Sequence, residues 1–245
     1  MRLFEIVDNQ EIAFSALESN CSSALQNLHD KVIYKGMPSM DKNAFFLDPS
    51  LYERHSVGTS NYYTLLLSNL PNWKKYPRRN HSLICTTNYW QAIRYGKLFL
   101  VLPVNGAKIG ICPKFDIFLT QITENCDIVD LNKFWERFGL DQFNYPIFLQ
   151  ELQEKWEKIT NNTTHTSAAS KQIQNIMKNY SPRQAEFVLE NLYSPMKLGF
   201  RLKTIENFRN RYHHEIWFES KCYCISIDLT SKFFRNFQRR YHFEP

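Results

Sequence analysis

The segment from Ser82 to Cys112 constrains the fold most, because strand, helix and strand follow one another with almost no connecting residues. Ser82-Leu83-Ile84-Cys85-Thr86-Thr87 reads as a strand, Asn88 as a helix cap, and Tyr89 to Tyr95 as a short helix closed by Gly96. Lys97-Leu98-Phe99-Leu100-Val101-Leu102 follows as a second strand, bounded by Pro103 and the Asn105-Gly106 turn signal. Lys108-Ile109-Gly110-Ile111-Cys112 is a further short strand.

The flanks extend this pattern. Ile12, Phe14, Leu17, Cys21, Leu25 and Leu28 recur near the helical period, so residues 11–30 predict a helix, and Val32-Ile33-Tyr34 a strand ending at Lys35-Gly36. Met37 to Ser60 is irregular and reads as a long loop, and Asn61 to Leu70 as a helix stopped by Pro71. Residues 121–160 are helical in pattern, with Trp135, Phe138, Phe148, Leu149, Leu152 and Trp156 as core positions. Thr160 to Ser170 reads as a mobile loop, Pro182 to Leu192 as a helix, and Glu215 to Leu229 as a last strand or hairpin. The expected organisation is one domain over residues 1–245 with a helical insertion at about 121–200.

Only 7 glycines occur in 245 residues, which leaves little material for a Gly-rich phosphate cradle, and neither the P-loop nor the dinucleotide-binding pattern is present. A nucleotide here must be held by other means. With 43% hydrophobic and 15% aromatic residues the chain can bury a sizeable core. No run of about 18 uninterrupted apolar residues occurs, and Met1 to Asp8 lacks the apolar stretch of a secretory signal, so a cytoplasmic protein without a membrane partner is expected. The 6 cysteines follow no framework spacing, which predicts free thiols. His213 and His214 with Cys222 and Cys224 fit no common zinc pattern, and no metal is expected. The net charge of +6 is concentrated at Lys74-Lys75-Tyr76-Pro77-Arg78-Arg79 and Arg235 to Arg240. Such a surface attracts nucleic acid or an acidic partner, helps to hold a pyrophosphate, or is simply a solvated basic face.

Three separated pieces share one form. Tyr34-Lys35-Gly36 ends a strand on a polar residue and a glycine, Cys85-Thr86-Thr87 ends one on hydroxyl residues before a helix, and Glu215 opens one directly after His213-His214. Their order resembles the ADP-ribosyltransferases of the bacterial-toxin branch, which carry Arg on the first strand, a Ser-Thr-Ser triplet, and Glu in an acidic-or-Gln-x-Glu motif. The resemblance runs from about residue 32 to 228 and is one of motifs and order. It departs at Lys35, where the family has Arg or, in the diphtheria-like branch, His; Lys keeps the charge and loses the two-pronged donor. It departs again at Cys85, in place of the first Ser, and at His213, where arginine-modifying members carry Glu. The fold implied by the resemblance is of the α+β class, a split β-sheet core of two packed antiparallel or mixed sheets with flanking helices and a helical insertion.

The implied activity is that of a mono-ADP-ribosyltransferase, a glycosyltransferase that cleaves NAD as a substrate and transfers ADP-ribose to a macromolecule. On this reading Glu215 steadies the oxocarbenium-like charge on the ribose, His213 turns the acceptor away from arginine, and Thr86 and Thr87 brace Glu215 and the ribose. Lys35 meets a phosphate or ribose oxygen, the Gly36 backbone holds the nicotinamide amide, Cys85 completes the triplet, and Tyr34, Trp90 or Tyr95 supplies an aromatic face. Arg54, Arg78 and Arg79 are spare cations for the phosphates. The acceptor is a protein side chain or, slightly favoured, RNA or DNA held through stacking and phosphate contacts by Trp73 to Arg79 and Phe233 to Tyr241. Low glycine content and many Lys and Asn residues fit a phage protein or a toxin of a phage-conflict system, with an antitoxin or phage protein as a further partner. The alternative is a catalytically inactive nucleic-acid-binding or phage structural protein of the same fold.

Overall fold

The computed structural model describes residues 4–5, 10–26, 28–38, 42–52, 67–68, 70–123, 126–127, 190, 193–210 and 213–245. The strands, in chain order, are β1 Phe4–Glu5, β2 Tyr34–Met37, β3 Ala44–Leu47, β4 Leu83–Thr86, β5 Lys97–Pro103, β6 Lys108–Ile111, β7 Gln121–Thr123, β8 Cys126–Asp127, β9 Arg201–Thr204, β10 Glu215–Phe218 and β11 Cys222–Ser226. They are joined by helices α1 Gln10–Leu25, α2 Tyr89–Ile93 and α3 Lys232–Tyr241. The α+β class read from the sequence is the class observed. No helix among the described residues is long and apolar enough to cross a membrane.

Nine strands form one sheet in the order β1-β3-β11-β5-β2-β4-β10-β6-β9, and β7 with β8 makes a separate ribbon. Two packed sheets were expected; hydrogen bonding joins the nine strands into one, with every pair antiparallel. The join is weakest at the middle. β2 is paired with β5 from Tyr34 to Met37 but with β4 at Tyr34 alone, opposite Thr86. That single pair is a seam between two half-sheets, which nevertheless share one core containing Phe45, Phe99 and Cys224 from one half and Cys85, Ile111 and Phe218 from the other.

The chain crosses the seam more than once. The Asn105-Gly106 turn carries it from β5 to β6, with Gly106 at φ +76°, a left-handed conformation that glycine adopts without steric cost. Residues 219–221 carry it from β10 to β11. The last strand or hairpin expected over Glu215–Leu229 is therefore two strands that pair in different halves, β10 with β4 and β6, and β11 with β3 and β5.

Local sequence accounts for the segment between β4 and β5. The Asn88 side chain accepts a hydrogen bond from the Gln91 N–H at 3.2 Å and caps α2, and Gly96 at φ +122° ends the turn that follows. A Cβ built on Gly36 would lie 1.9 Å from the Ala92 carbonyl oxygen, so only glycine lets α2 rest this closely on β2. α1 buries Ala13, Phe14, Leu17, Cys21 and Ala24, and α3 buries Phe233, Phe234 and Phe237 beneath a Ser231 cap.

Other expectations shift. The predicted first strand begins at Tyr34 and runs on to Met37, which puts Lys35 and Gly36 inside it. The long loop expected from Met37 contains β3 and a 3₁₀ turn at Pro49–Leu51, and the helical pattern expected from residue 121 opens as the β7–β8 ribbon. Residues 128–189, with the expected core positions from Trp135 to Trp156, the loop Thr160 to Ser170 and nearly all of the helix Pro182 to Leu192, lie outside the described residues.

Candidate active site

Register brings the three sequence pieces together. Thr86 stands opposite Tyr34 on one side and opposite Glu215 on the other, so the three form one row across β2, β4 and β10. Directly opposed residues in antiparallel strands project from the same face, and successive residues from opposite faces. Tyr34, Thr86 and Glu215 therefore share a face at the seam, and all three are buried. Lys35 and Cys85 point to the other face, where Cys85 joins the hydrophobic core. A ligand against Glu215 cannot be reached by these two side chains from that side of the sheet.

The charge partner of Glu215 is Arg79. One Glu215 carboxylate oxygen accepts a short hydrogen bond from the Arg79 guanidinium, and the other accepts from the Ile117 N–H at 3.3 Å. The side chains of Arg79 and Glu215 are only 5% and 10% exposed. The Arg79 guanidinium also lies over the Trp217 ring, 5.7 Å from its centroid, and Trp217 is fixed by its indole N–H donating to the Pro77 carbonyl at 2.8 Å. Trp217 in turn needs Gly110 beside it, since a Cβ there would meet the indole at 2.5 Å. Burial pushes the Asp116 carboxyl above its usual range, and the nearby Glu215 charge adds to this. Burial likewise pushes the Cys112 thiol up to about 12.

Thr86 and Thr87 brace Glu215 from one residue upstream. The Thr87 hydroxyl accepts from the His214 N–H at 2.8 Å, and the Thr86 hydroxyl donates to the His214 carbonyl at 3.2 Å. The His214 ring is itself locked: Nδ1 is 2.8 Å from the Cys112 carbonyl and Nε2 is 2.9 Å from an Arg201 guanidinium nitrogen. Arginine has only donors, so Nε2 accepts and Nδ1–H donates, which requires a neutral ring. Burial and the Arg201 charge both lower the His214 pKa, in keeping with that state. His213 is exposed beside it.

The remaining candidates fall at different depths. Gly36 packs α2 onto β2 through its missing side chain. Tyr34 is buried edge-on to Tyr89 at 5.7 Å, whereas Trp90 and Tyr95 are 72% and 60% exposed. Arg54 lies outside the described residues. Of the aromatic residues in the two basic segments, Trp73, Phe233, Phe234 and Phe237 are core residues, and Tyr76 and Tyr241 are half-buried.

Arg79, Arg201 and Trp217 complete the surroundings of Glu215, and only Arg79 was legible beforehand, as one of several spare cations. The chain matches no protein-family model, no curated protein and no solved structure.

Proposed function

We propose that the chain is a mono-ADP-ribosyltransferase, of the superfamily its motifs resemble, that cleaves NAD beside the seam and transfers ADP-ribose to a macromolecular acceptor. The observation that carries this reading is the row of Tyr34, Thr86 and Glu215: three pieces far apart in the sequence meet on one face, at the one weak join of the sheet. In the reaction the bond between ribose C1′ and nicotinamide breaks with its electron pair leaving on nicotinamide. The acceptor nucleophile forms the new bond to C1′ and gives up its proton. Glu215 supplies the carboxylate that opposes the positive charge developing on the ribose, an electrostatic contact of the kind worth about 10²–10³ in rate.

Each Glu215 oxygen accepts one hydrogen bond, leaving a lone pair on each for a ribose hydroxyl. Arg79 holds the carboxylate in position. His213, two residues before Glu215, is exposed next to the braced strand and faces the solvent from which an acceptor arrives.

One observation favours a second reading. Glu215 and Arg79 are nearly inaccessible and engaged with each other, as in a structural ion pair, which suits a binding protein of the same fold without the chemistry. NAD labelled in its adenylate half, incubated with the protein and cell lysate, separates the two. Transfer of label to macromolecules by the wild type and not by Glu215→Gln supports the transferase; no transfer by either leaves the binding protein.

A further inference from the structure

Beyond the end of β10 opposite Glu215 lies a cleft of about 470 Å³ whose walls carry Lys74, Lys75, Arg78 and Lys108, with Glu219 as its acidic group. Glu219 follows β10, four residues from Glu215, so the cleft stands about 13 Å along the strand from the seam. The walls come from three places: the segment 74–78, the turn into the start of β6 at Gly106 and Lys108, and Glu219 and Ser220 after β10.

The wall made by residues 73–78 is rigid. The Trp73 indole N–H donates to the Tyr193 carbonyl at 2.6 Å, the Tyr76 hydroxyl to the Phe200 carbonyl at 3.1 Å, and the Trp217 indole N–H to the Pro77 carbonyl at 2.8 Å. Three ring donors thus fix the backbone that presents Lys74, Lys75 and Arg78. A ligand meets cations already in place, which lowers the ordering cost of binding.

The charge is unevenly answered. Glu219 is bound by Arg78, with the nearest guanidinium contact at 3.1 Å and a further hydrogen bond from the Arg78 backbone N–H. Lys74, Lys75 and Lys108 are exposed, and among the described residues no carboxylate pairs with them. The one guanidinium fork, the donor that fits a carboxylate in two-pronged fashion, is therefore taken within the cleft. What remains is a set of ammonium point charges, suited to phosphate oxygens. Tyr76 is the aromatic residue of the lining, half-buried with its hydroxyl engaged, and Trp73 is buried.

We propose that this cleft binds the phosphodiester backbone of a nucleic acid through Lys74, Lys75 and Lys108, without reading base sequence. The binding is independent of the chemistry at Glu215, and it supplies an acceptor class if that chemistry holds.

The test is fluorescence anisotropy with a labelled single-stranded 20-mer, as DNA and as RNA of mixed sequence, over a salt series, using the full chain. Wild-type protein should bind both with a log–log salt slope of about −2, as expected for three phosphate contacts on a single strand. Lys74→Glu/Lys75→Glu/Lys108→Glu should weaken binding at least tenfold and flatten the slope. Arg94→Glu/Lys197→Glu/Lys232→Glu, the same charge change at exposed positions outside both basic segments, should stay within about twofold of wild type. Lys74→Gln/Lys75→Gln/Lys108→Gln, with an unchanged melting temperature, guards against a folding artefact. Equal losses from both triple reversals, binding that ignores salt, or preference for polyglutamate over the oligonucleotides would overturn the proposal.

Discussion

Arg79 and Glu215 concentrate what is unusual at the scale of single residues. A buried pair contributes little net stability compared with an apolar substitute, but removing one partner strands the other charge. Arg79→Gln is expected to cost about 3–5 kcal/mol in urea unfolding, and Arg79→Gln/Glu215→Gln much less than the sum of the single changes. Additive losses would show that the two side chains act separately. His214 sets a second expectation. Its folded pKa is depressed by burial and by Arg201, so below about 6.5 the unfolded chain takes up a proton that the folded chain refuses. Stability from this residue is complete above the ordinary histidine range and is lost as pH falls towards the lowered value. Melting temperatures followed from pH 8 to 5 should decline on the acid side, and His214→Gln should flatten that decline.

At the scale of elements, the contact between α2 and β2 depends on Gly36. Gly36→Ala sets a methyl against the Ala92 carbonyl and should lower stability by about 1–3 kcal/mol, the usual range for overpacking, read as a drop in melting temperature. No drop would mean that α2 can lift away freely. Elements with local determinants were legible in the sequence: Asn88 caps α2, Gly96 ends it, and the apolar run of β5 lies between Gly96 and Pro103. β3 was missed because Ala44-Phe45-Phe46-Leu47 is short, set among polar residues, and stabilised by β11 from far along the chain. Glu215–Leu229 was read as one strand or a hairpin because neighbouring strands usually pair, and the seam sends β10 and β11 to different halves. Lys35 was read as a strand-end cation, and a shift of the strand boundary puts it on the face away from Glu215, since register fixes facing.

For the whole molecule, the order of the three motifs was legible and their meeting was not, because pairings of β2 with β4 and of β4 with β10 are long-range. The Arg79–Glu215 bond, 136 residues apart in sequence, has no local signature at all. The resulting design is a sheet held at its middle by a single register pair, with the row of Tyr34, Thr86 and Glu215 at that join and a basic cleft at the far end of β10. The seam reading stands on chemistry at the join. Release of free nicotinamide from NAD, measured chromatographically for wild type and for folded Glu215→Gln, tests it most directly. A wild-type rate about 10²-fold or more above that of Glu215→Gln is the expected result, and equal rates from the two proteins would contradict it.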